Sequence, residues 1–209
     1  MKVDREELEN KLIRERTAFI EEIADINTEI DSFKEKSDLR QEEKNNKQLV
    51  LLQERLQQAS ETMEDINKRE ELLGFGATEF PKYEQAEKNI QPFLKLWTLL
   101  KEYKGREKTW YHDTIFNLNP EDVDKERKIL YKDALQFRSL YAKQLPKPLQ
   151  IAEHVIKQVT EFNELVPLVR AFCNPGLKER HWKELSEVAR YELKNDPQVK
   201  LQLLKQLKL

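Results

Sequence analysis

The residues best equipped to do chemistry in this chain are three histidines, His112, His154 and His181, and a single cysteine, Cys173. They lie far apart, and no metal-ligand spacing links the histidines to the thiol. Cys173 acting as a nucleophile would need a base such as His181, eight residues away, to make its thiolate. A small, buried, apolar thiol is the better reading. Neighbouring carboxylates such as Glu21 and Glu22 are abundant, but on solvated helix faces they carry no catalytic information. The phosphate-cradling pattern G-x-x-x-x-G-K-[ST] does not occur in these residues. Gly74 and Gly76 form only G-x-G, with no third glycine and no preceding strand, so their expected task is to end a helix. No residue is therefore assigned a catalytic, cofactor-binding or metal-binding role, and nothing argues for an enzyme in this segment.

One stretch still concentrates reactive and bulky side chains: "NPGLKERHW", residues 174–182. Pro175 should stop the helix arriving through "LVPLVRAFC", and Gly176 should permit an unusual backbone turn. "LKERHWKEL" then restarts a helix, with Leu177, Trp182 and Leu185 as its buried stripe. On this reading Trp182 anchors a structural corner, and His181 beside it is packed or surface-lying rather than reactive.

The elements that position this corner follow from composition and punctuation. The chain has 209 residues, 38% hydrophobic and 36% charged, well above the usual quarter for charge. Such a balance favours long, solvated helices. Its 37 basic and 39 acidic residues are interleaved to a net charge of −2, so no nucleic-acid partner is indicated. One cysteine excludes an internal disulfide and fits a reducing compartment. No apolar run approaches a membrane span, and "MKVDREELEN" is not a signal peptide. The composition reads as that of a soluble, cytoplasmic chain.

Residues 1–73 contain neither glycine nor proline. Apolar residues recur at 3-4 spacing through Leu12, Phe19, Ile23, Ile26, Ile30 and Phe33, with Arg16 as a polar break. A second run passes through Leu49, Leu52, Leu56, Ala59, Met63, Ile66 and Leu73, broken by Glu70. Both are heptad-like seams, and they do not share a register. Either one long helix carries a discontinuity, or two helices fold back as a hairpin at about residues 34–48. A stripe as narrow as Ile23, Ile26, Ile30 and Phe33 suits one helical partner. That partner could be the second seam through a turn near Lys44 to Lys47, another copy, or an associated subunit.

From Gly74 onward the character changes. All eight prolines, all three tryptophans and all six tyrosines lie between residues 81 and 209. Aromatics concentrate where a core must be built. The punctuation "GFGATEFP", "YKGREK", "NLNPEDVDKE", "LPKPLQ", "FCNPGLKERHW" and "KNDPQ" separates amphipathic segments at 85–104, 120–143, 149–170, 178–193 and from 198 onward. Asn119 should cap a helix with Pro120 at its first position, and Asn195 should repeat that logic. The expected fold is all-α: a coiled-coil-like helix or hairpin over residues 1–73, then a helical-bundle array over residues 74–209. "VKLQLLKQLKL" closes the sequence as an uncapped helical pattern and reads as cut from something longer.

At this point the residues resemble a known family. "LVPLVRAFCNPGLKERHWKELSEV" looks like the signature in the linker region of dynein heavy chains. The upstream order of "NKREELLGF", "PFLKLWTLLKEY" and "TWYHDTIFNLNPEDVDKE" agrees with it. The resemblance runs from about Asn67 to the last residue, and its structural signature here is Trp97, Trp110, Asn174, Pro175, Gly176, Arg180, His181 and Trp182. The Asn-Pro-Gly form resembles axonemal more than cytoplasmic heavy chains. Two departures stand out: Lys178 where related chains often carry Arg, and no glycine near Ala189 or Arg190.

The resemblance implies a non-catalytic mechanical segment joining the stem to the linker, a helical rod that bends during the power stroke. ATP and Mg would belong to the AAA+ ring of the parent motor, which would be the ATPase moving along microtubules. Implied partners are that ring and the remaining linker in cis, with intermediate or light chains or another heavy chain as further candidates, and neither nucleic acid nor membrane. The implied location is cytoskeletal, in the axoneme of a cilium or flagellum. The competing reading is a coiled-coil adaptor or scaffold whose helical domain binds a partner.

Overall fold

The computed structural model of the chain describes residues 5–196 and 198–207. It is all-α, as the sequence predicts. Among the described residues eight helices follow in order: α1 (Arg5–Ser32), α2 (Glu42–Leu73), α3 (Pro81–His112), α4 (Pro120–Tyr141), α5 (Pro146–Asn163), α6 (Val166–Phe172), α7 (Glu179–Ala189) and α8 (Leu201–Gln206). They group into two compact units, residues 1–97 and 98–209.

The first unit resolves the alternative between one helix and two. α1 and α2 form a hairpin, and their two seams face each other. Leu12, Phe19, Ile23, Ile26 and Ile30 of α1, with Phe33 just beyond it, are buried with Leu49, Leu52, Leu56, Ala59 and Ile66 of α2. The reversal occupies residues 33–41, in the first half of the fold-back expected at about 34–48, and ahead of Lys44 to Lys47, which are already inside α2. Two short 3-10 turns make it, Phe33–Glu35 and Leu39–Gln41. The Asp38 side chain accepts a hydrogen bond from the Arg40 N–H, opening the second turn. An Asx turn of this kind needs no glycine or proline, which is why the punctuation was not visible at those residues.

Gly74 ends α2 in the left-handed conformation, φ 85° and ψ 17°, as expected of a C-terminal glycine. The chain then turns back into α3, whose first half packs on the hairpin. Phe80 meets Phe19 edge-to-face at 4.9 Å, and Phe93 meets Phe33 at 5.7 Å. The composition suggests a division at Gly74; the packing keeps residues 74–97 with the hairpin, because these aromatics complete its core.

In the second unit α4 and α5 pair through a short connection. Asn119 caps α4 as expected, its Oδ1 accepting from the N–H groups of Glu121 and Asp122, with Pro120 at the first position. α5 contributes a buried stripe of Ile151, Ala152, Val155, Val159 and Phe162. Trp110 stacks on Phe162 with ring centroids 4.3 Å apart. Several boundaries differ from expectation, α7 ending at Ala189 rather than 193 among them. α3 does not stop at "YKGREK" but runs through Gly105 to His112, because burying Tyr103 and Trp110 outweighs the roughly 1 kcal/mol cost of a mid-helix glycine. The segment expected at 149–170 is two helices, α5 and α6. The last helix starts at Leu201 rather than 198; Asp196 accepts from the Gln198 N–H, and Ile115 N–H bonds the Val199 carbonyl at 2.8 Å. Pro197, part of the expected "NDPQ" cap, lies outside the described residues.

Candidate functional site

The corner at residues 172–193 is assembled from backbone-satisfying side chains. α6 ends at Phe172, and Asn174 Oδ1 accepts from the Gly176 N–H at 2.8 Å while its carbonyl accepts from Leu177 N–H. This closes an Asx turn around Pro175. Gly176 suits this turn for a different reason from the one expected. Its φ is not positive; instead a Cβ at this position would meet Asn174 Oδ1 at 3.1 Å. The side chain that makes the turn occupies the space that the glycine leaves.

α7 then restarts with a reciprocal pair. The Lys178 N–H donates to His181 Nδ1 at 3.0 Å, and the His181 N–H donates to the Lys178 carbonyl at 2.9 Å. His181, at the third helical position, therefore supplies the acceptor for the N-cap N–H that a Glu or Gln usually supplies there. An imidazole accepting at Nδ1 carries its proton on Nε2, so the nearby Arg180 Nε, 3.2 Å from Nε2, is a contact rather than a second hydrogen bond. Arg180 itself is exposed.

Trp182 follows at once and is 4% exposed. Its ring lies edge-on to Phe172 at 5.4 Å and against Phe116 at 6.1 Å. Leu177 and Leu185 are only half-buried, so Trp182 alone carries the burial expected of three residues. Ser186 ties the corner shut: its Oγ accepts from the Leu193 N–H, and its one proton is shared between the Trp182 and Leu193 carbonyls, at 2.7 and 2.9 Å. Nothing in the sequence singled out Ser186. α7 ends at Arg190, whose φ of 51° and ψ of 33° are left-handed. That is where the resemblance leads one to expect a glycine.

The remaining expected residues have settled places. Cys173 Sγ lies 3.2 Å from the Ile115 carbonyl and 3.3 Å from that of Leu118, and burial pushes its thiol up. A thiol so placed is a poor nucleophile. His154 meets Tyr103 edge-to-face, and His112 ends α3. Among the described residues no group of three or more His, Cys, Asp or Glu side chains is arranged to hold a metal ion, and no helix is long and apolar enough to cross a membrane. Trp110 donates to Glu126 Oε2 at 3.3 Å, and Glu126 also pairs with Arg106 at 2.9 Å. Trp97 is fully buried, and its carbonyl accepts from the Asn46 amide. The signature residues thus fall in two places: Trp97 in the first unit, Trp110 and the 174–182 corner in the second.

The seam Ile23, Ile26, Ile30 and Phe33 is at most 2% exposed. Of the three destinations open to it, the structure takes the second seam. The two polar breaks of these seams meet as well. Arg16 Nη1 lies 3.1 Å from Glu70 Oε1, and Glu70 also accepts from the Thr78 hydroxyl and N–H, each at 2.7 Å. Burial alone would raise the Glu70 carboxyl; the Thr78 and Arg16 hydrogen bonds outweigh it and hold the group below its usual value. Arg55 to Glu29 at 2.6 Å, and Arg69 to Glu15, cross the same hairpin at its edges.

Comparison with known proteins fits this geometry. Residues 83–209 match the family described as dynein heavy chain, N-terminal region 2. The chain is 29% identical to dynein axonemal heavy chain 3 of Homo sapiens over 192 residues, covering 91% of this chain and 5% of that protein. It is 26% identical to dynein axonemal heavy chain 12 of Homo sapiens over 211 residues, covering 96% of this chain and 7% of that protein. Against dynein axonemal heavy chain 1 of Mus musculus the match is 29% over 124 residues, or 57% of this chain. The chain thus spans only a small fraction of the length of these relatives. With the family matched over most of its residues and a signature corner built as one piece, this chain belongs to the dynein heavy chain N-terminal region 2 family.

Proposed function

We propose that this chain is a non-catalytic mechanical segment of an axonemal dynein heavy chain, joining the stem to the linker that transmits the ATP-driven power stroke. The observation that carries this reading is the corner itself. Its Asn174, His181 and Ser186 side chains satisfy backbone groups and Trp182 fills a core, which is how a joint resists deformation. Four glycines in 209 residues leave few soft points, as a force-bearing element requires. The axonemal names of its relatives favour work in a cilium or flagellum. On this reading ATP, Mg and the microtubule contact belong to other parts of the heavy chain. The partners of this segment are then the AAA+ ring and the rest of the linker in cis. Calorimetry with Mg-ATP tests the non-catalytic part: no saturable binding to this chain is expected, and a stoichiometric isotherm would refute it.

A further inference from the structure

The outer face of α4 has a charge opposite in sign to that of the chain. The chain carries −2 overall, yet Lys125, Lys128, Lys132 and Arg170 line one open groove of about 420 Å³, opposed by Glu121 and Asp124 alone. Asp124 is already shared: Lys128 and Arg127 each approach it at 2.8 Å and Arg170 at 3.4 Å. One carboxylate cannot neutralise three cations. Lys125 and Lys132 have no ion-pair partner among the described residues. The lysines at 125, 128 and 132 follow the i, i+3, i+7 spacing of one helix face.

An apolar group sits within this charge. Ile129 is 47% exposed and lines both this groove and a second one, of about 690 Å³, between α4 and the second half of α3. The second groove contains Gly105, where an added Cβ would meet nothing within 4 Å and where φ is not positive. Neither backbone conformation nor internal packing calls for glycine at this mid-helix position, where it costs about 1 kcal/mol against alanine. What it does is leave a notch beside Ile129. A small anion would use the cations only; an apolar residue with a notch beside it suits a polypeptide.

We propose that the outer face of α4 docks an acidic amphipathic helix of a partner protein, its carboxylates meeting Lys125, Lys128 and Lys132 and its apolar stripe covering Ile129 and the Gly105 notch. Charge complementarity sets the orientation of such a helix, and the apolar contact supplies the grip.

The probe is a synthetic helical peptide with Glu at i, i+3 and i+7 and Leu on the adjoining stripe. It is titrated into the full chain at fixed ionic strength, beside its Leu→Ser version and inorganic phosphate. The Glu/Leu peptide binds saturably, and added salt weakens it. Lys125→Glu with Lys132→Glu lowers its affinity by roughly tenfold or more, without a change in the melting curve. Gly105→Leu, which favours the helix and so does not unfold the chain, lowers it too. The proposal is overturned if the Glu/Leu peptide does not saturate or if the charge-reversed chain binds it equally well. Equal binding of the Leu→Ser peptide or of phosphate alone would also overturn it, leaving only a simple anion site.

Discussion

Trp182 packs against Phe172 and Phe116, and its own carbonyl faces the Ser186 hydroxyl. Deleting its ring should cost about 3–5 kcal/mol, the scale for a large aromatic removed from a core. His181→Ala removes only a helix-start acceptor and should cost about 1 kcal/mol. Urea unfolding of both variants checks the ranking; equal, small losses would mean that the corner is not a core element. Arg190 gives a prediction of opposite sign. Its left-handed backbone is strained for any residue with a Cβ, so Arg190→Gly should raise stability by about 0.5–1 kcal/mol in the same assay. At this scale the sequence was partly legible. Trp182 and the turn at Pro175 and Gly176 could be read from residue type, because a large aromatic and a proline-glycine pair each have few uses; the anomaly near residue 190 came only from the family resemblance. Ser186 could not be read, since a serine within a helix gives no sign that its hydroxyl will serve a carbonyl and an N–H seven residues on.

Between elements, the informative residues are the two that interrupt the seams. A polar residue in each of two heptad runs predicts, if the runs pair, that the polar residues meet; Arg16 and Glu70 do. What could not be read was Thr78, which lies in the loop after α2 and donates twice to the same carboxylate. The lowered Glu70 pKa makes a signed prediction. A carboxyl depressed on folding contributes stability that is complete above its unfolded value, near 4.5, and is lost as pH falls through the lower folded value. Acid titration followed by circular dichroism should show this loss, and Glu70→Gln should flatten the curve below pH 4.5. An unchanged slope would rule out Glu70 as the group responsible. Arg16→Leu should destabilise by leaving the buried carboxylate without its cation; Arg16→Leu with Glu70→Leu removes that charge but leaves the Thr78 N–H and hydroxyl without their acceptor, so it should not restore full stability.

For the molecule as a whole, composition suggested a boundary at Gly74, whereas packing groups residues 1–97 and 98–209. Aromatic density marks where a core is needed but not which helices share it, so the attachment of Phe80 and Phe93 to the hairpin was hidden. Deleting residues 1–73 would remove Phe19 and Phe33, the ring partners of Phe80 and Phe93. The remainder should stay helical but self-associate, and Phe80→Gln with Phe93→Gln should reduce that association in sedimentation. A monomeric remainder without those substitutions would show that the first half of α3 does not need the hairpin.

The proposed mechanical role is tested most directly in a motor-competent heavy chain carrying Trp182→Ala, with microtubule-stimulated ATP turnover and gliding velocity measured on the same preparation. A segment that transmits force without taking part in hydrolysis predicts turnover close to that of the unsubstituted motor and a clear fall in distance moved per ATP. Loss of turnover and velocity in equal proportion, with the ratio unchanged, would contradict it.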